Sequence, residues 1–331
     1  MSDMTDYNRR RFRPPDNGLI RGGRRRRAGD SEDLYVVHDD DIRLAVDVAL
    51  ATHRALLLVG PSGCGKSALA RAVADHLGWR FYRLAITSHT RARDLLWDVD
   101  HIGRLHDAQV AAALVSGGDR DGERSGDDLS MERYVVPGPL WWAFDPDDAA
   151  ALGRTDAAAG RTDPTEGVDD PAVPAVVLLD EIDKADPDVP NDLLTPVGSL
   201  RFRVDPLEGH SVEARAGLEP LLVVTSNEER DLSPAFLRRS VRLSIKAPTA
   251  AVHVRIATEH EPSGEAVARA LAPLLVHDDW DEADRVSIAT FVDAVRAAVR
   301  MELVPGTPEW DRLVEVFTDW RDGEGSVGAL R

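Results

Sequence analysis

Short apolar runs separated by polar or glycine-rich segments dominate the middle of the chain. Runs of strand length cover residues 55–59, 80–86, 175–179, 221–227 and 241–245. Most of them lack polar alternation, as do strands that are buried on both faces of a parallel sheet. The pattern therefore predicts an α/β fold in which a parallel sheet is flanked by helices.

Helical and alternating patterns lie between these runs. Helices are predicted at residues 66–77, where Gly78 ends the segment, and at residues 92–97 and 107–115. Residues 200–204 and 211–214 alternate as the two strands of a β-hairpin do, with a tip near His210.

The pattern becomes helical after Pro248. It is clearest over residues 284–303, whose predicted core positions are Ile288, Phe291, Val292, Val295 and Val299. We therefore predict an α/β domain at residues 31–248, a small helical domain at residues 249–320 and a flexible tail at residues 321–331.

Net charge separates the first 30 residues from the rest. The 331-residue chain carries a charge of −18, yet residues 1–30 hold nine arginines against four aspartates. With few apolar residues, this segment is predicted to be a disordered Arg-rich arm, running from Arg9 to Arg27. Two interpretations stay open: a merely solvated tail, or an arm that contacts nucleic acid, an anionic membrane or an acidic protein surface.

The remaining composition bears on location. One cysteine, Cys64, allows no internal disulfide, and the sequence shows no signal-peptide pattern and no apolar run of membrane-spanning length. These features predict a cytoplasmic protein without a membrane span.

A glycine-rich segment between the first strand and the following helix carries the strongest chemical signal. It has the pattern Gly-x4-Gly-Lys-Ser of a phosphate-binding loop. Its backbone N–H groups converge on phosphates at a helix N-terminus, while Lys66 supplies a cation and Ser67 a hydroxyl for Mg²⁺. The predicted nucleotide contacts are Gly60, Pro61, Ser62, Gly63, Cys64, Gly65, Lys66, Ser67 and Ala68.

Acidic and amide side chains follow two later strands. Asp180 and Glu181 end the run at 175–179, and Asn227 ends the run at 221–227. Nucleotide hydrolysis needs one carboxylate at the metal and another to activate water. Asp180 suits the first role, Glu181 the second, and Asn227 is the candidate for positioning a water near the γ-phosphate.

The order of these motifs, followed by Arg238 and Arg239 on a short predicted helix, resembles that of AAA+ ATPases. The hairpin before Asn227 and the segment Gly138-Pro139-Leu140 resemble the MoxR branch. The resemblance covers residues 34–320 and implies a P-loop core with a parallel sheet and a small C-terminal helical lid.

The same resemblance implies roles and partners. ATP and Mg²⁺ are the implied cofactors, Tyr35 and Val36 the adenine contacts, and Asn227 the first sensor. The arginine finger, acting on a neighbouring subunit, falls on Arg239, with Arg238 as the alternative. Implied partners are further copies in a ring, expected to be a hexamer, and a client protein such as one with a von Willebrand factor A domain.

One position departs from the family pattern. The second sensor is an arginine near the start of a lid helix, where this chain has Ser287, Ala289 and Thr290, with Arg285 close by. The leading hypothesis is a chaperone-like remodelling ATPase. A nucleotide-gated scaffold with little turnover and a nucleic-acid motor using the arginine arm remain alternatives, and the base preference, ATP or GTP, stays open.

Overall fold

The described part of this computed structural model comprises residues 11–15, 18–21, 34–37, 40–116, 130–153, 164–166, 168–276 and 286–318. Within these ranges, the helices are all too short or too polar to cross a lipid bilayer.

Strands and helices alternate along most of the described chain. The strands are β1 (Leu19–Arg21), β2 (Leu34–Val36), β3 (Ala55–Val59), β4 (Arg80–Ala85), β5 (Trp97–Val99), β6 (Val135–Pro137), β7 (Ala175–Asp180), β8 (Arg201–Arg203), β9 (Ser211–Glu213), β10 (Leu221–Ser226) and β11 (Ser240–Ser244). The helices are α1 (Asp40–Thr52), α2 (Lys66–Leu77), α3 (His101–Ser116), α4 (Pro139–Phe144), α5 (Pro146–Gly153), α6 (Asp188–Asp192), α7 (Leu194–Ser199), α8 (Pro234–Arg239), α9 (Ala250–His260), α10 (Glu265–Leu275), α11 (Ile288–Arg300) and α12 (Pro308–Thr318).

Five parallel strands form the central sheet in the order β11-β3-β10-β7-β4. All residues of β3, β7 and β10 are buried, as uninterrupted apolar runs require. Neighbouring strands of a parallel sheet need crossover connections, and helices pack on both faces of this sheet. The predicted fold, a parallel sheet flanked by helices with C-terminal helices added, is confirmed.

Each face of the sheet has its own apolar core. One core packs α1 and α2 against one face, and the other packs α4 to α7 and the β8–β9 hairpin against the opposite face. Trp141 is fully buried and Trp142 nearly so in this second core. Both tryptophans therefore belong to the packed core.

The disordered arm was expected to extend to residue 30, and for residues 11–15 and 18–21 that expectation is wrong. The Phe12 side chain is fully buried, its N–H donates to Asp47 Oδ1 over 2.8 Å, and its ring packs edge-on against His76. Strand β1 pairs antiparallel with β2. Arg9 and Arg10, and residues 24–27 with their four arginines, lie outside the described residues.

The segment after β4 also differs from its prediction. Residues 92–97 form a single 3-10 turn at Ala92–Leu95 followed by β5, which pairs with β6. The next helix, α3, begins at His101, six residues before the predicted start. The two strands of this ribbon are short and far apart in sequence, so they leave no local periodicity. The sequence pattern alone could therefore not predict their pairing.

Helices α9 to α12 surround a third apolar cluster, in which Phe291, Val292 and Val295 are buried. Ile288 and Val299 are partly buried against the same cluster. The β1–β2 ribbon joins it to the α/β core, because Leu19 and Val36 belong to the third cluster whereas Ile20 and Tyr35 belong to the core beside α2. This ribbon and the start of α11 bring the helical part over the phosphate loop.

Candidate active site

The loop between β3 and α2 is built around glycines in backbone conformations that other residues avoid. Gly63 and Gly65 have φ values of 75° and 96°. Inside this turn, the Lys66 ammonium donates 2.7 Å hydrogen bonds to the carbonyl oxygens of Gly60 and Pro61 and to Asn227 Oδ1. Lys66 is only 6% exposed, and all three acceptors are neutral.

A buried cation without an anionic partner is costly. Among the described residues, no carboxylate forms an ion pair with Lys66. The loop therefore presents a positive charge and backbone N–H groups to the cleft, an arrangement that a bound phosphate would neutralise. The residues present fit a nucleotide phosphate at this position.

Asp180, at the C-terminal end of β7, lies beside the loop. Its Oδ1 accepts from Ser67 Oγ (2.6 Å) and Thr225 Oγ1 (2.8 Å), and its Oδ2 accepts from Arg83 Nη2 (2.6 Å). Burial would raise the pKa of Asp180, but the hydrogen bonds from Ser67, Thr225 and Arg83 lower it below its ordinary value. An ionised carboxylate next to a serine hydroxyl fits the hydrated Mg²⁺ that accompanies a nucleotide.

Glu181 follows directly and turns its carboxylate toward Asn227. Its backbone is left-handed, with φ 64°, and its N–H donates to Thr225 Oγ1 over 2.8 Å. Asn227 Nδ2 lies 3.4 Å from Glu181 Oε1, while Lys184 Nζ donates to Glu181 Oε2 over 2.6 Å. A strained backbone at this point aims the acid into the cleft, where it can accept a proton from water.

Asp183 fixes the segment that carries Asn227. Its Oδ2 accepts from the N–H groups of Asn227 and Glu229, both at 3.1 Å, around a left-handed Glu228 with φ 60°. Asp183 is 3% exposed. Sequence reasoning missed this role, although an acid three residues after Asp180 was visible.

Helices α9 and α11 cover the cleft beside the phosphate loop. A Cβ on Gly63 would lie 2.5 Å from the Ser287 Cβ, so the start of α11 touches the phosphate loop. Between the two parts is a cavity of about 670 Å³. The lining includes Lys66, Ser67, Asp180, Glu181 and Asn227, which the sequence had singled out from three separate segments.

The apolar end of the cavity is formed by β2 and by helices α9 and α11. Tyr35 and Val36 line it, as do Ile256, Ile288 and Val292. Burial, and then the neighbouring Cys64, raise the pKa of the Tyr35 hydroxyl, so this group stays protonated. The surface suits a flat apolar ring such as a nucleobase.

Arg296 lines the cavity and was missed by the sequence interpretation. It lies two helical turns after the start of α11, 3.4 Å from His260 Nδ1 and 3.6 Å from Asp293 Oδ1. Arg285 lies outside the described residues, and Ala289 lines the cavity at the helix start. The only signal for Arg296 in the sequence was an arginine on the polar side of an amphipathic helix.

Arg238 and Arg239 do not line this cavity. Both are exposed at the end of α8, immediately before β11. Their placement leaves both guanidinium groups available to a neighbouring molecule.

Comparison with known families agrees with this geometry. The family described as AAA domain, dynein-related subfamily, matches residues 55–240, more than half of the 331 residues. The match begins at β3, before the phosphate loop, and ends just after Arg239. No curated protein matches the chain.

Proposed function

Because the chain belongs to the AAA domain family in its dynein-related subfamily, we propose that it is a MoxR-type ATPase that remodels a partner protein. The AAA domain implies ATP binding and ATPase activity, and such domains typically assemble into rings. The observation that carries the proposal is the buried Lys66 ammonium, whose hydrogen-bond acceptors among the described residues are all neutral and which lines a cavity together with Asp180 and Glu181.

Each side chain has a defined task in this proposal. Lys66 and the loop N–H groups hold the β- and γ-phosphates, and Ser67 with Asp180 holds the metal. Mg²⁺, when bound with ATP, neutralises charge that develops on the phosphate oxygens. Glu181 accepts the proton of the attacking water, and Asn227 orients that water while contacting Lys66.

Arg239 supplies positive charge to the site of the neighbouring subunit. Its exposure outside its own cavity supports this role, since a cis-acting arginine would have to line that cavity. An arginine finger of this kind is worth roughly 10³ to 10⁵ in rate. Arg238 is the alternative finger.

Arg296 takes the part of the lid arginine that the start of α11 lacks. It lines the cavity, and its side chain is 24% exposed. In this proposal the position of the α9–α12 helices depends on whether Arg296 contacts a bound nucleotide. Their movement would transmit the nucleotide state to neighbouring subunits of the ring. The β8–β9 hairpin tip, which lies away from the cavity, is the proposed contact with a client, for example a protein with a von Willebrand factor A domain.

Complementation between two inactive variants tests the shared site. Glu181→Gln removes the base and Arg239→Ala removes the finger, so each variant alone should lose turnover while still binding nucleotide. A mixture should regain ATPase activity, because a Glu181 site can then face an intact Arg239 from the other variant. Arg238→Ala, treated in the same way, identifies which arginine acts.

Turnover per subunit should also rise with protein concentration. A mixture that stays inactive while wild type turns over would refute the shared site. Wild type that binds no nucleotide would refute the proposed function itself. Client remodelling is tested by capture on Glu181→Gln in ATP, with release on the wild type as the matched comparison.

A second function is favoured by one contact. The Lys184 ammonium donates to Glu181 Oε2 over 2.6 Å, and this hydrogen bond raises the pKa of Lys184, so Lys184 stays charged. If the ion pair restrains Glu181, ATP hydrolysis is slow, which is the behaviour expected of a nucleotide-gated scaffold. Lys184→Gln distinguishes the two: turnover that rises severalfold shows that the ion pair restrains the base, whereas nucleotide binding without turnover in both proteins supports the scaffold.

A further inference from the structure

Arg83 stands beside the metal half of the site, where the phosphate-loop pattern gives no reason to expect a cation. It lies on the edge strand β4, where Arg83 pairs with Leu178 and Ala85 with Asp180. Because side chains two residues apart share a face, Arg83 and Asp180 project to the same side of the sheet. The guanidinium reaches forward along the strand and contacts Asp180 Oδ2 at 2.6 Å.

Both oxygens of the Asp180 carboxylate accept hydrogen bonds from protein groups. Ser67 and Thr225 donate to Oδ1, and Arg83 occupies Oδ2. Ser67 Oγ donates its proton to Asp180 and keeps its lone pairs, which Mg²⁺ would need as a ligand. A hydrated divalent cation can therefore approach Ser67, but on the Oδ2 side of Asp180 it meets the Arg83 charge, which repels it.

The exposure of the two partners shows which one can move. The Arg83 side chain is 50% exposed and lines the cavity, whereas the Asp180 side chain is 9% exposed and fixed by two hydroxyls. Arginine is always charged and its long side chain can turn toward solvent or toward a phosphate. The mobile member of the pair is thus the cation.

We propose that Arg83 is a built-in counter-ion of the metal site, which neutralises Asp180 before nucleotide arrives and which Mg²⁺ must displace. This inference rests on the proposed nucleotide site and adds a residue that sets how strongly nucleotide binding depends on Mg²⁺. Without Arg83, Asp180 repels free nucleotide phosphates, so metal-free binding weakens. Mg²⁺ then meets an unoccupied carboxylate, so its contribution to binding grows.

The test measures the dissociation constant of a fluorescent N-methylanthraniloyl ADP twice, in excess EDTA and in saturating Mg²⁺. In Arg83→Gln, the ratio of the EDTA value to the Mg²⁺ value should rise roughly fivefold, the effect of an ion pair of this exposure. Arg83→Lys keeps the charge and should stay near the wild-type ratio. General damage to the site would raise both dissociation constants and leave their ratio unchanged.

Arg269→Gln is the matched control, since Arg269 also pairs with one carboxylate, Glu265 at 2.7 Å, but lies on α10 away from the cavity. Its ratio should equal that of wild type. Arg83→Met, which keeps the aliphatic stem, serves as a second neutral variant if the glutamine variant folds poorly. An unchanged or lower ratio in a folded neutral variant overturns the inference while leaving the proposed function intact. Wild type that binds no ADP derivative overturns both.

Discussion

Removal of the Asp183 carboxylate should weaken both the fold and catalysis, although Asp183 does not line the cavity. One oxygen of Asp183 accepts from the N–H groups of Asn227 and Glu229, each at 3.1 Å. These two bonds hold the left-handed turn at Glu228, which places the Asn227 side chain between Lys66 and the Glu181 carboxylate. The variants Asp183→Ala and Asp183→Asn separate loss of the acceptor from loss of the charge.

The magnitude follows from the two donors. A hydrogen bond to a charged group contributes about 1.5 to 3 kcal/mol, and water can reach these partly buried N–H groups in the alanine variant. Asp183→Ala should therefore lower the free energy of unfolding by about 3 kcal/mol. In Asp183→Asn, an amide oxygen can keep both bonds, so the expected loss is about 1 kcal/mol.

Turnover should respond more strongly than nucleotide binding. Misplacement of a positioning group by about 1 Å can cost roughly 10²-fold in rate, so kcat of Asp183→Ala should fall by about that factor while nucleotide affinity changes little. Urea unfolding and steady-state ATPase assays measure the two effects. Asp186→Ala is the control, because Asp186 accepts one backbone N–H but is exposed. An alanine variant with wild-type kcat would refute the positioning role.

Three further predictions concern the loop and the N-terminal segment. Gly63→Ala should weaken nucleotide binding at least tenfold, because its Cβ would collide with Ser287, whereas Gly78→Ala, also at positive φ but with no atom within 4 Å, should only cost about 1 kcal/mol of stability; equal affinities would contradict this. Phe12→Ala should lower the free energy of unfolding by about 3 to 5 kcal/mol in urea, and a loss below 1 kcal/mol would show that residues 11–15 do not pack. Burial lowers the pKa of His76, so its stabilising contribution is complete above about pH 6.5 and is lost as pH falls through that value toward the lower folded pKa. His76→Gln should remove this part of the pH dependence in urea unfolding between pH 8 and pH 5, and an unchanged slope would contradict the assignment.

The sequence alone determined the nucleotide half of the protein. A phosphate loop needs a strand, glycines at fixed spacing and a helix, all of which are local and therefore legible. The acids at the end of β7 and the amide after β10 could be assigned to the same sheet edge, because parallel strands end on one side. Those assignments required no knowledge of which strands are neighbours.

Tertiary structure alone decided the contacts between distant segments. The pairing of Arg83 with Asp180 depends on β4 lying beside β7, and the approach of Arg296 to the cavity depends on how α11 packs on the core. The burial of Phe12 is another case, since an arginine-rich composition predicts disorder while one aromatic side chain, set between α1 and α2, fixes its segment. Such contacts join residues far apart in sequence, and their free energy exists only once the chain has folded, so no local pattern records them.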